Sequence, residues 1–347
     1  MPHFSNFWST LRPSRRFLSL FWFPLFFVAA FSCMFVINVG HARPNGVQVG
    51  VIGTPTAVRQ ATGAIDRAER GVQFHPVADE TAARARIARN ELAGVLDVST
   101  PAEPRFLMAM AASGSRALYL QSLFGRALGT PVQAVDVVPT APGDFTGVGL
   151  FFCSLPLQVL GLITAAILGL AQVTSWRQKF FWIALYGAFG AGFTYVLCTS
   201  LQVIPNMPVL ALLGFLLTQT IAWIAVGAAA FLKHFFLPVI MPFIVIFEIP
   251  ISGGPMSADM MPGFSQVLHA ALPFSRYLDA ARSIAYFHGA GAWSALGVLL
   301  IWTAIGLGLM LAGRWWTRRG ASSEPPAAAG QVDAGVAIEA GSASADI

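Results

Sequence analysis

The chain has 347 residues, of which 56% are hydrophobic and only 11% charged, with a mean hydropathy of +0.66. Soluble domains carry about 25% charged residues, so this chain has too few to wet a soluble surface and must turn much of itself to lipid. Its net charge of +5 does not point to nucleic acid, because the bases flank apolar runs or alternate with acids instead of forming a basic face.

In chain order, residues 1–16 predict a cytoplasmic interfacial segment whose apolar face is Phe4, Phe7, Trp8 and Leu11. Residues 17–39 predict transmembrane helix 1. Arg12, Arg15 and Arg16 precede it and Gly40-His41-Ala42 weakly resembles a cleavage site. Its apolar core is longer than the roughly 7–15 residues of a signal sequence, however, so it reads as a retained anchor.

Residues 40–146 predict an extracytoplasmic α/β domain. Strands are expected over 47–52, 72–77, 94–98, 106–111 and 132–138, with helices over 56–70, 79–91 and 116–128. This length suffices for a core of its own. Its histidines, His41 and His75, lack metal-ligand spacing to an acid or cysteine.

Residues 147–313 predict a five-helix transmembrane domain, with spans near 148–173, 180–200, 208–232, 235–251 and 292–313. The span over 235–251 holds Pro238, Pro242 and Pro250 and should be kinked or broken. Between it and the last span, residues 252–288 predict a re-entrant segment. Ser252-Gly253-Gly254-Pro255 must turn, and the two apolar stretches that follow are too short to cross, with Pro273 between them. Residues 314–347 predict a cytoplasmic tail, rich in Ala, Gly and Ser beyond Ala321 and disordered there. The expected fold is thus an α-helical polytopic membrane protein with six transmembrane helices, a re-entrant hairpin before the last, and an α/β domain between helices 1 and 2.

Arginine and lysine placement sets the orientation. Arg12, Arg15, Arg16, Arg177, Lys179, Lys233, Arg314, Arg318 and Arg319 fall on one side, against Arg276 and Arg282 in the short loops of the other. Both termini are therefore expected in the cytoplasm of a multi-pass cell-membrane protein. Cys33, Cys153 and Cys198 all lie in apolar runs. They predict packing residues, with neither a disulfide nor a zinc site.

Chemistry-bearing motifs are scarce. The chain has no G-x-x-x-x-G-K-[ST] phosphate loop, no H-E-x-x-H pair and no G-x-S-x-G elbow. No catalytic residue, cofactor or metal is expected. Glu248 is an ionisable group near one end of a span, which makes it a functional candidate or an interfacial acid bonded to the loosened backbone before Pro250. Arg276, Asp279 and Arg282, at i, i+3 and i+6, predict a local ion-pair network. Gln158, Thr164, Gln172 and Gln219 read as interhelical glue, and Gly187, Gly190, Ala191, Gly192, Gly306 and Gly308 as sites of close helix approach.

Ser252-Gly253-Gly254, then Met261-Pro262-Gly263-Phe264, then Leu268, His269, Leu272-Pro273-Phe274, Tyr277 and Arg282, form a pattern. It resembles the YhgE/Pip-type membrane proteins of the ABC type-2 permease superfamily, sharply over 252–282 and by order of parts over about 15–315. The resemblance implies a homodimeric export permease that moves an amphiphilic or lipid-like compound outward and uses ATP only through a separate cytoplasmic ABC ATPase. It implies transport or gating roles for Glu248, Ser252, Gly253, Gly254, Pro273, Tyr277 and Arg282. It also implies ATPase coupling at Trp176, Arg177, Gln178 and Lys179, although the connection over 174–179 is short for a coupling helix. Membrane lipids are the other expected partners. The alternative is a non-transporting membrane protein whose extracytoplasmic domain binds a partner or envelope component.

Overall fold

The computed structural model describes residues 15–170, 175–232, 239–240 and 242–322. The predicted interfacial face at Phe4, Phe7, Trp8 and Leu11 lies outside the described residues, as do Gln172, Lys233 and the tail beyond Ser322.

Helix α1 (Arg15–Phe35) runs into a π-helical turn at Val36–Gly40 and leads to a five-stranded sheet. The sheet domain runs β1 (Val47–Ile52), α2 (Pro55–Ala68), β2 (Val72–Pro76), α3 (Glu80–Ala88), β3 (Gly94–Asp97), β4 (Arg105–Met108), α4 (Gly114–Leu128) and β5 (Gln133–Asp136). Side chains that accept backbone N–H groups start its helices: Thr54 before α2, Asp79 before α3 and Ser113 before α4. Helix α4 ends at Gly129 in the left-handed region.

Strand order is β2-β1-β3-β4-β5, parallel throughout except for the antiparallel β3–β4 pair. The connections explain this. A helix separates each parallel pair joined in sequence, whereas β3 and β4 are joined by a short loop without one, and only antiparallel strands can be joined that way. Period-two alternation then builds two cores. Val47, Val49, Leu96, Phe106 and Met108 face α2 and α4, while Val95 and Leu107 face Ala83 and Ile87 of α3.

The rest is a helical bundle: α5 (Gly149–Leu170), α6 (Trp176–Ser200) and α7 (Val209–Leu232). There follow α8, a π-helical turn (Phe243–Glu248) continuing as Ile249–Ile251, then α9 (Gly263–Ala271), α10 (Pro273–Tyr286) and α11 (Ala292–Ser322). Among the described residues five helices are long and apolar enough to cross a membrane: Phe23–Gly40, Gly149–Leu168, Trp176–Ser200, Val209–Leu232 and Ala292–Trp316. The protein is therefore membrane-embedded. The expected span over 235–251 is not among the five. Part of it lies outside the described residues, and the rest is α8, loosened between Pro242 and Pro250.

Helix α7 is the hub, packed against α5, α6, α10 and α11. Its Gln219 amide donates to the Ile183 carbonyl at 3.1 Å, and Thr220 bonds Thr303 of α11 at 2.7 Å. Gly187, Gly190 and Gly306 are close-approach points, where a Cβ would meet Gln219, Leu160 and the Ile224 backbone. Gly192 and Gly308, expected to act the same way, have open space instead. Large apolar side chains such as Val28, Phe189, Phe193, Leu300 and Ile301 are exposed on α1, α6 and α11, as lipid contact requires.

One expectation is overturned. Cys153 and Cys198 are joined in a disulfide, with a Cα–Cα distance of 6.5 Å, and only Cys33 is a free thiol. Cys153 lies one turn into α5 and Cys198 close to the end of α6. These helices pack antiparallel, which returns the second cysteine to the level of the first. An apolar setting marks a cysteine as buried and does not mark it as unpaired.

The sheet domain is bound to the bundle over the stretch between α8 and α11. Arg43 and Asn45 donate backbone N–H groups to the carbonyls of Met260 and Asp259 at 3.0 and 2.8 Å. Met260 enters the core beneath α2 and α4, and Phe287 enters the core beneath α3. At the other junction the Asp144 carboxylate accepts from the N–H groups of Thr146, Gly147, Val148 and Gly149, which fixes the entry into α5.

Candidate functional site

The turn after α8 carries the first part of the site. Ser252 is buried, its hydroxyl donating to the Ile249 carbonyl at 2.8 Å and accepting from the Gly254 N–H at 3.2 Å. Gly253 has φ +78°, and a Cβ there would lie 2.7 Å from the His269 ring. Gly254 lies so close to Phe151 of α5 that a Cβ would come within 2.2 Å of its ring. Both glycines are therefore required by the path of the chain. Pro273 opens α10, where its missing N–H costs nothing.

Helix α10 then presents two different faces. Tyr277 points into the bundle, where its hydroxyl accepts from Ser154 of α5 at 3.2 Å. Arg282 is buried and donates from Nη2 to the Gly253 carbonyl at 3.1 Å, tying the end of α10 back to the turn. Arg276 Nη1 donates to Asp279 Oδ2 at 2.8 Å, and His269 Nε2 meets the same oxygen at 3.0 Å. His269 Nδ1 faces the Ile251 carbonyl at 2.9 Å. Both ring nitrogens thus face acceptors, an arrangement that suits the doubly protonated ring. Burial works against the imidazolium, but the Asp279 carboxylate and the Ile251 carbonyl outweigh it and raise the His269 pKa above its ordinary value. Burial likewise opposes the Asp279 carboxylate, yet His269, Arg282 and Arg276 hold it below the usual carboxylate value.

These groups surround a cavity of about 320 Å³ between the sheet domain and the bundle. Arg116 reaches it from α4 and donates from Nη1 to Asp259 Oδ2 at 2.6 Å. The expected Arg276–Asp279–Arg282 network is present in part: Arg276 bonds Asp279, while Arg282 turns to a backbone carbonyl. The sequence pattern contains His269 but assigns no role to it, and it points to neither Arg116 nor Asp259. The available signal was Arg116, a lone charge on the face of α4 that also carries Ala117, Leu120 and Phe124.

Glu248 stands apart from this cavity. It is 1% exposed and accepts a hydrogen bond from the amide of Gln158 on α5. Its hydrogen bond among the described residues thus runs to the side chain of another helix and not to the loosened backbone before Pro250. Gln158 Oε1 has no partner among the described residues.

The predicted coupling residues are largely engaged within the chain. Gln178 forms a reciprocal cap with Ser175 at the start of α6. Lys179 is buried with its ammonium 5.1 Å from the Trp176 ring, and Trp176 packs near Gly313 of α11. Arg177 is exposed.

No protein-family model matches the chain, and no curated protein or solved structure matches it. The functional reading therefore rests on the geometry and on the pattern over 252–282. Among the described residues, no group of three or more His, Cys, Asp or Glu side chains could hold a metal ion.

Proposed function

We propose that the chain is the transmembrane permease subunit of an ABC type-2-like exporter. It moves an amphiphilic or lipid-like compound outward, with ATP hydrolysed by a separate subunit. The observation that carries this reading is the α9–α10 pair. It is too short to cross, it is inserted before the last long helix, and α10 packs against α5, α7 and α11 beneath a charged cavity. That arrangement agrees with the re-entrant hairpin implied by the likeness to the YhgE/Pip-type proteins. In this reading the segment over 235–251 is a sixth span, both termini are cytoplasmic, and the sheet domain lies outside the cell membrane of a bacterium. The Cys153–Cys198 disulfide supports that placement. It lies at the end of the bundle where the sheet domain joins α5, and disulfides persist on the oxidising side of a membrane. The permease is a homodimer with no catalytic centre of its own, and Glu248 with Gln158 forms a polar contact between its spans.

A specific observation favours a second reading. Trp176, Gln178 and Lys179 are held by contacts within the chain, and only a short connection joins α5 to α6. A non-transporting membrane protein whose sheet domain binds an envelope component would need no coupling surface there.

Gentle-detergent purification of the tagged full-length chain from its host separates the two. A stoichiometric P-loop ATPase whose hydrolysis rises in the complex supports the permease. A homo-oligomer free of any ATPase refutes it and leaves the second reading.

A further inference from the structure

The cavity beneath the sheet domain is built with more positive charge than its own carboxylates neutralise. Three arginines line it, Arg116 from α4 and Arg276 and Arg282 from α10, together with His269 of α9. Two carboxylates, Asp259 and Asp279, answer them. Each is already bonded: Asp259 to Arg116, and Asp279 to both Arg276 and His269. Arg282 is 8% exposed, and its hydrogen bond goes to the neutral Gly253 carbonyl. Arg276 Nε is buried and has no hydrogen-bond partner among the described residues. A buried guanidinium with unfilled donors is costly unless something accepts from it.

We propose that this cavity is an anion-binding site for a phosphate group, held by Arg282, Arg276 and Arg116 with His269 at its edge. The guanidiniums approach from two separate elements and the imidazole from a third. Such convergence suits the tetrahedral set of oxygens on a phosphate better than the planar pair of a carboxylate, which one arginine fork satisfies. About 320 Å³ accommodates the phosphate with a short polar substituent. The rest of the wall is uncharged, with Asn90, Ser257 and Ser283 adding polar groups beside Ala112, Ala258 and Ala295. Gly291 and Ala295 flank and open α11, so a phosphate ester can reach the site free in solution or as the headgroup of a lipid lying against that helix. The site does not depend on an ATPase, and it stands whether the chain transports or only binds.

The test uses the full-length protein in detergent and in nanodiscs. Calorimetric titration with inorganic phosphate and with sn-glycerol 3-phosphate probes the soluble source. Native mass spectrometry after reconstitution in phosphatidylglycerol, with a neutral glycolipid as control, probes the headgroup source. Binding in either arm that falls at least tenfold in Arg282→Gln and Arg276→Gln supports the site, and the responding arm identifies the source. Arg59→Gln, on exposed α2 away from the cavity, should bind as the parent does. Should Arg282→Gln fail to fold, Arg276→Gln carries the test: it gives up the Nη1 bond to Asp279, which His269 still holds, and its melting temperature shows that the variant is folded. Absence of binding in both arms by a monodisperse parent overturns the proposal, and so does binding that Arg276→Gln leaves unchanged.

Discussion

Replacing Asp144 by alanine should weaken the joint between the sheet domain and the first bundle helix. The carboxylate is 6% exposed and collects four backbone N–H groups: Thr146, Gly147 and Val148 on Oδ1 at 3.3, 2.9 and 3.2 Å, and Gly149 on Oδ2 at 2.9 Å. A hydrogen bond to a charged acceptor contributes about 1.5–3 kcal/mol. The two shortest bonds dominate and the four are not additive, so Asp144→Ala should cost about 3 kcal/mol. Asp144→Asn keeps one acceptor oxygen but sets an NH2 group against one of these donors, for about half that loss. Urea titration in mixed micelles gives the global cost, and amide hydrogen exchange at Gly147 and Gly149 reads the local opening. Unchanged exchange at both amides in Asp144→Ala, with a stability change below about 0.5 kcal/mol, would refute the reasoning.

Three further outcomes are expected. Gly254→Ala drives a Cβ into the Phe151 ring and should destabilise the full-length protein by about 1–3 kcal/mol; a melting temperature equal to the parent's would show that α5 and the turn are not in contact. Thiol labelling of denatured protein should modify Cys33 alone before reduction and Cys33, Cys153 and Cys198 after it, and labelling of all three without reductant would deny the bridge. The His269–Asp279 pair predicts a pH window. Its imidazolium contributes fully below about 6.5 and is lost as pH rises through the raised pKa of His269, while the carboxylate contributes above about 3.9 and is lost as pH falls through the lowered pKa of Asp279. Melting temperature should therefore be highest between about pH 4 and 6.5 and decline above it. His269→Gln should remove that alkaline decline, and a decline that persists in this variant would assign it to another group.

Much of the local structure was legible because it is local. Alternating Val47, Val49 and Val51 wrote β1, and Asp79 before an apolar-periodic stretch wrote the start of α3. Uncharged runs of about twenty residues wrote the long helices. Glu248 stood out as a costly acid in apolar surroundings and Ser252, Gly253 and Gly254 as turn formers, whereas Tyr277 and Arg282 entered as site residues through the family resemblance; the partners of these residues were not legible. Gln158 is 90 positions from Glu248, and Arg116 is 143 positions from Asp259.

By itself, then, the sequence determined a lipid-facing protein with an α/β insert, since composition and period decide where apolar surface must go. Only the tertiary structure decided the strand order, the Cys153–Cys198 pairing, and the meeting of Arg116, His269, Arg276 and Arg282 around one cavity. Each of these depends on distances between segments remote in sequence. Such distances are set by packing between helices and by the docking of the sheet domain onto the stretch between α8 and α11, and no single segment encodes them.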